Sequence, residues 1–138
     1  MERKLIASRM QTPDGTILES KYTHNYVTHV DKTNNYEYML DGGTDYQRYS
    51  EPVDAPMVDL SVYTDSPYEE IRKYYSRGGR GKDGTERVKW VPLCEMSDEW
   101  LKNAITYNYD EGHDIFCFAN SMYMRELIYR QDNNITIE

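Results

Sequence analysis

The strongest constraint on this chain is a series of turn signals along its first sixty or so residues, each set between β-branched or aromatic segments. KLIASRM and TILESKY flank QTPDG, where proline presets φ and glycine accepts φ > 0. NYVTHV and YEYML flank DKTNN, a hairpin loop by composition. Asp41-Gly42-Gly43 then makes a further turn before a short strand, TDYQRYS. No helical period competes here, so the stretch predicts three or four antiparallel strands. EPVDAPMVDLS, with two prolines and no alternation, predicts an irregular connection.

The pattern then changes. Ser66 offers an N-cap, Pro67 a first helical residue, and Glu69 and Glu70 an acidic first turn. The helix is predicted through IRKYYS, stopping at Gly78-Gly79. RGGRGKDGTE reads as a glycine-rich basic loop and RVKWVPL as a strand. Ser97-Asp98-Glu99 caps a second helix, DEWLKNAITY, which NYDEGHD breaks. IFCFANSMYMRELIYR forms a third, with Phe116, Asn120, Tyr123, Leu127 and Arg130 near one face. Strands first and helices last predict an α+β fold: an N-terminal antiparallel sheet followed by a helix, a strand and two C-terminal helices. A single domain is expected, β-rich over 1–63, helical over 64–131, with a flexible tail at 132–138.

Composition narrows the function classes. Of 138 residues 38% are hydrophobic, and 14 tyrosines suggest many half-buried positions of the kind found at sheet faces and subunit interfaces. A thin core of this kind favours a homo-oligomer. The net charge of -8 argues against DNA or long RNA as a partner, so an anionic ligand must be small and met by a few local arginines. MERKLIASRM lacks the apolar run of a signal peptide or membrane span. Cys94 and Cys117 have no metal-like spacing and read as reduced cytosolic thiols; His24 and His29 read as sheet histidines. No metal or cofactor is expected.

Two stretches carry candidate chemistry. RGGRGKDG lacks the spacing of a P-loop, and a strand rather than a helix follows it. Its Arg77, Arg80 and Lys82 could clamp an anion beside the rings of Tyr74 and Tyr75, or the segment could be a solvated loop. In DGGTDYQRYS the glycines serve the turn, and Arg48 is either an ion-pair partner or a phosphate contact. No catalytic signature emerges, so the chain is read as a binder and not an enzyme.

SRMQTPDGTILESKYTHNYVTH, YEYMLDGGTDYQR, SPYEEIRKYYSRGGRGKDG, WVPLCEMSDEWLKNAI and the closing RELIYR together resemble a phage-encoded family, the first Thoeris anti-defence proteins. Members of that family act as sponges. They bind cyclic ADP-ribose isomers made by the Thoeris TIR-domain enzyme without degrading them, and some also hold cyclic oligonucleotides in a hexamer built from dimers. The chain departs from the pattern at Asn25, at Gln47 and Tyr49 around Arg48, at Arg77-Gly78 and at Asp83.

The resemblance implies a cytoplasmic trap for glycocyclic ADP-ribose, with cyclic oligonucleotides as a second ligand class, at a subunit interface in the infected cell. Tyr75 would stack on adenine, while Arg48, Arg125 and Arg130 would neutralise the pyrophosphate. Asp83 would accept a hydrogen bond from ribose or base. Lys21, His24 and Thr28 would form a second site facing a symmetry mate. The alternatives are an inhibitor that binds a host defence enzyme and an enzyme that cleaves the same signal.

Overall fold

A computed structural model describes residues 3–81 and 83–138, so Lys82 of the basic loop lies outside the described residues. The fold is α+β, with antiparallel strands throughout its sheets. The chain divides into two compact units, one ending at Tyr75 and the other spanning Ser76–Glu138.

In the first unit β1 (Leu5–Gln11) turns Ile6, Ser8 and Met10 inward on alternate positions, the period of two that a half-buried strand requires. It pairs with β2 (Ile17–Ser20) from Ser8↔Ser20 to Gln11↔Ile17, across the predicted proline-glycine turn. Its other edge carries β6 (Val58–Asp59) and β7 (Val62–Tyr63). The sequence predicts irregular chain at β6, because a two-residue strand is too short to show any period. A second sheet has the order β3-β4-β5, from β3 (Val27–Val30), β4 (Glu37–Asp41) and β5 (Arg48–Ser50). Met10 and Leu18 of the first sheet meet Tyr38 and Leu40 of the second, with Met57, Val27 and Tyr36 completing the core. Each such buried side chain contributes roughly 1.5–3 kcal/mol.

Helix α1 (Tyr68–Tyr74) belongs to this unit and packs on β1 and β7, so the expected boundary at 63/64 falls inside it. Pro67 is its N-cap; Ser66 Oγ instead accepts from Tyr63 N at 3.0 Å. The helix closes at Tyr75, whose N–H still bonds Ile71 O at 2.8 Å while its ψ of 119° is extended.

The second unit starts as a strand where a helix end and loop were expected. β8 (Ser76–Gly79) pairs with β9 (Lys89–Pro92), from Ser76↔Pro92 to Gly79↔Lys89. Glycines lose much by being helical, and the ribbon gives their backbone groups partners. A 3-10 turn at Leu93–Glu95 leads to α2 (Asp98–Asp110), capped as predicted by Ser97 Oγ accepting from Trp100 N at 3.1 Å. Helix α3 (Phe118–Asp132) begins three residues later than predicted. In the tail Ile135 N donates to Arg130 O and Ile137 O accepts from Asp98 N, both at 2.8 Å. Among the described residues no helix is long and apolar enough to cross a membrane.

Candidate functional site

The turn at Asp41-Gly42-Gly43 sets the geometry of the first unit's polar cluster. Gly42 has φ +124°, and a Cβ there would stand 1.9 Å from Tyr46 O; Gly43 has φ +61°, with Tyr22 Cα at 2.6 Å from its would-be Cβ. The backbone thus folds back where no side chain fits. Gly43 is also fastened on both sides, its O accepting from Ser8 Oγ at 2.5 Å and its N donating to Ser20 Oγ at 3.3 Å.

The same hairpin puts Asp41 opposite Arg48 in register. Asp41 is fully buried; its Oδ2 accepts from Tyr46 Oη at 2.9 Å and lies 3.7 Å from Arg48 Nη2. Its Oδ1 accepts no hydrogen bond among the described residues. Burial first, and then the bond to Asp41, push the Tyr46 phenol above its ordinary value, so it stays a donor. Arg48 reaches outward instead, its side chain 59% exposed. Nη2 donates to Tyr26 Oη at 2.9 Å, and the guanidinium carbon lies 5.5 Å from the Tyr26 ring centre. His24, at φ 67°, brings Nδ1 within 3.3 Å of the same phenol and its ring within 6.0 Å of the Tyr26 ring. An exposed cation, a phenol and an imidazole therefore form one group, with a buried carboxylate behind the cation.

Of the predicted site residues this group contains Arg48 and His24. Lys21 turns away to Glu19 Oε2 at 3.0 Å. Thr28 lies exposed on β3, opposite Met39. Tyr75, expected to show an open stacking face, is 8% exposed and belongs to the buried set; Tyr74 is the partly open neighbour, its ring 4.0 Å from the Arg9 guanidinium carbon.

In the second unit Asp83 sits exposed in the loop between β8 and β9. Arg130 is a correction. It is 2% exposed and donates to Glu126 Oε2 at 2.8 Å, Asp98 Oδ1 at 2.6 Å and Leu93 O at 2.8 Å. Its guanidinium ties α3 to α2 and the 3-10 turn and is not presented to a ligand. The Arg130 bond, with burial opposing, holds Asp98 below the usual carboxylate range. Arg125 is exposed on the same helix, five residues away, so the two arginines face different surroundings.

Tyr26, Asp41 and Tyr46 were not singled out in the sequence. The cross-strand pairing of Asp41 with Arg48 through a short hairpin was the available signal. Among the described residues no group of three or more His, Cys, Asp or Glu could hold a metal ion. Neither a protein-family model, nor a curated protein, nor a solved structure matches the chain.

Proposed function

We propose that this chain is a sponge, a non-catalytic trap that binds a cyclic ADP-ribose isomer and holds it unchanged, as its resemblance to the first Thoeris anti-defence proteins implies. The observation that carries the reading is the exposed Arg48 guanidinium fixed beside Tyr26 and His24. A dinucleotide-like ligand offers phosphates to the cation and a base to the rings. Arg48 keeps N–H donors beyond the one given to Tyr26, and charge-assisted hydrogen bonds from a held guanidinium favour slow release. Trapping needs no acid–base pair. The protein acts as an oligomer in the cytoplasm of the infected cell.

Calorimetry with a panel of cyclic ADP-ribose isomers, followed by chromatography of the heat-released ligand, tests this. Binding, recovery of intact ligand and about tenfold or greater weakening in Arg48→Gln are expected. Linearised or hydrolysed ligand transfers the protein to the cleaving-enzyme reading. No binding to any isomer ends the sponge reading and leaves the protein-binding inhibitor.

A further inference from the structure

A second cationic group lies wholly within the second unit and is built differently. Arg77 and Gly79 sit two apart on β8, so their side-chain directions share one face of the ribbon. At Gly79 that face lies against α2: a Cβ there would meet Trp100 Cζ2 at 3.0 Å and Cη2 at 3.1 Å. Tyr107 follows Trp100 by seven residues, two turns along the same flank of α2. The glycine contact therefore lays the strand along α2 and carries Arg77 to Tyr107. The guanidinium carbon is 5.9 Å from the Tyr107 ring centre and 5.6 Å from that of Tyr123 on α3. Nη1 donates to Tyr123 Oη at 2.9 Å.

Among the described residues this guanidinium has no acid beside it. Arg9, Arg48 and Arg130 each have a carboxylate oxygen within 4.0 Å, at Glu19, Asp41 and Asp98 with Glu126. Arg77 has none among the described residues, although the chain carries 24 acidic residues against 16 basic. Tyr123 Oη is its one hydrogen-bond acceptor there, leaving most of five N–H donors unused on a half-buried side chain. Residues 77–89 concentrate the charge, with five basic residues against two acidic in a chain of net charge -8. A cation partly removed from water, without a counter-ion and walled by aromatic rings is matched by an oxoanion brought from outside. Tyr107, 57% exposed, leaves one wall of the group open to solvent.

We propose that Arg77, framed by Tyr107 and Tyr123, is a binding site for a phosphoryl or pyrophosphoryl group. The anion engages the guanidinium edge through two N–H donors while Tyr123 holds the opposite side in place. The site is built from second-unit residues alone and stands whether or not the Arg48 group binds a cyclic nucleotide.

The full chain is titrated with inorganic pyrophosphate at low salt, using the parent, Arg77→Gln, Arg77→Lys and, as a control at an exposed arginine outside both groups, Arg3→Gln. The parent binds; Arg77→Gln weakens binding by about tenfold or more, Arg77→Lys recovers part of it, and Arg3→Gln leaves it unchanged. Because Arg77→Gln also removes the Tyr123 bond and could disturb folding, phenylglyoxal modification of the parent, mapped by mass spectrometry, gives a second readout. Pyrophosphate slows modification at Arg77 if the site exists. Equal binding by the folded Arg77→Gln variant, absence of binding by the parent, or unprotected Arg77 overturns the proposal. Pyrophosphate protection of Arg77 without binding of any cyclic ADP-ribose isomer keeps this site while ending the sponge reading.

Discussion

Arg130 and Arg48 show how little an arginine's identity says about its use. Arg130 gives three hydrogen bonds to Glu126, Asp98 and the Leu93 carbonyl in a nearly dry setting, with Glu126 itself fully buried. Removing one member of such a network leaves a charge without its partner in low dielectric, which costs more than the network contributes over an apolar replacement. Arg130→Ala should lower unfolding stability by roughly 3–5 kcal/mol, read from urea denaturation. The double variant Arg130→Met with Glu126→Leu should recover much of that loss, since no buried charge is then stranded on α3. If the single variant is as stable as the parent, the network is not what joins α3 to α2. Arg48 differs because its carboxylate partner is 3.7 Å away and its side chain is mostly in water. Its replacement should change ligand affinity and, because Asp41 stays buried behind it, lower unfolding stability as well, by less than Arg130→Ala does.

Elements extend the same reasoning to groups of residues. The β1–β2 turn is joined to the β3–β4 loop by two carboxylates: Asp14 N donates to Asp31 Oδ2 at 2.9 Å and Lys32 N to Asp14 Oδ2 at 3.1 Å. His29 Nε2 lies 2.7 Å from Asp14 Oδ2. The Thr12 hydroxyl first, then His29, with the Lys32 N–H and the Thr16 side chain adding to them and burial opposing, hold the Asp14 carboxyl far below its usual range. The unfolded chain takes up a proton at the ordinary carboxylate pH while the folded chain does not. The Asp14 contribution is therefore fully present above that pH and is lost as acid is added. Urea midpoints should fall between about pH 5 and pH 3, and less steeply in Asp14→Asn. A residual slope is expected from Asp31, Asp59 and Asp98, which are depressed as well. Parallel curves for parent and variant would remove Asp14 from this account. A second element-level prediction concerns Gly43: alanine there combines a left-handed φ, which costs roughly 1–2 kcal/mol, with contact against Tyr22 backbone, so the urea midpoint should drop clearly.

Legibility in the sequence follows the same division. Local chemistry was readable: Ser97 caps α2, the proline-glycine turn joins β1 to β2, and the double glycine turns into β5. Features set by distant partners were not. β6 exists because β1 offers it an edge, and β8 because β9 returns to it, and neither dependence leaves a local pattern. In α3 the inward face includes Asn120, Glu126 and Arg130, so a search for apolar spacing finds little there. Arg48 was readable as a cation beside aromatics, whereas His24 reads as a sheet histidine and stands instead in a turn at φ 67°; the Tyr26 phenol that joins the two depends on how β3 and β5 flank β4. Tyr75 was misread because spacing cannot tell which of two adjacent tyrosines is buried.

At the scale of the whole molecule the question is what covers the second sheet of the first unit. β3 is an edge strand, and its outward positions include Thr28 and Val30, the latter 53% exposed, with Tyr26 at 50% just before them. Tyr49 of β5 is 47% exposed as well. Edge strands left open in this way invite pairing with another chain unless charge or proline blocks them, and VTHV carries neither lysine nor proline. The tyrosine-rich composition and the modest core favour a second copy as the occupant. Light scattering at micromolar concentration should give a dimer or a multiple of dimers. Val30→Lys places a charge on the open edge of a residue already half in water, so it should shift the mass toward the monomer while unfolding stability at matched monomer state changes by less than about 0.5 kcal/mol. A parent protein that is monomeric at that concentration removes the oligomer from the proposed function and leaves the Arg48 group to act within one chain. A Val30→Lys protein that keeps the parent's mass places the interface on some other surface.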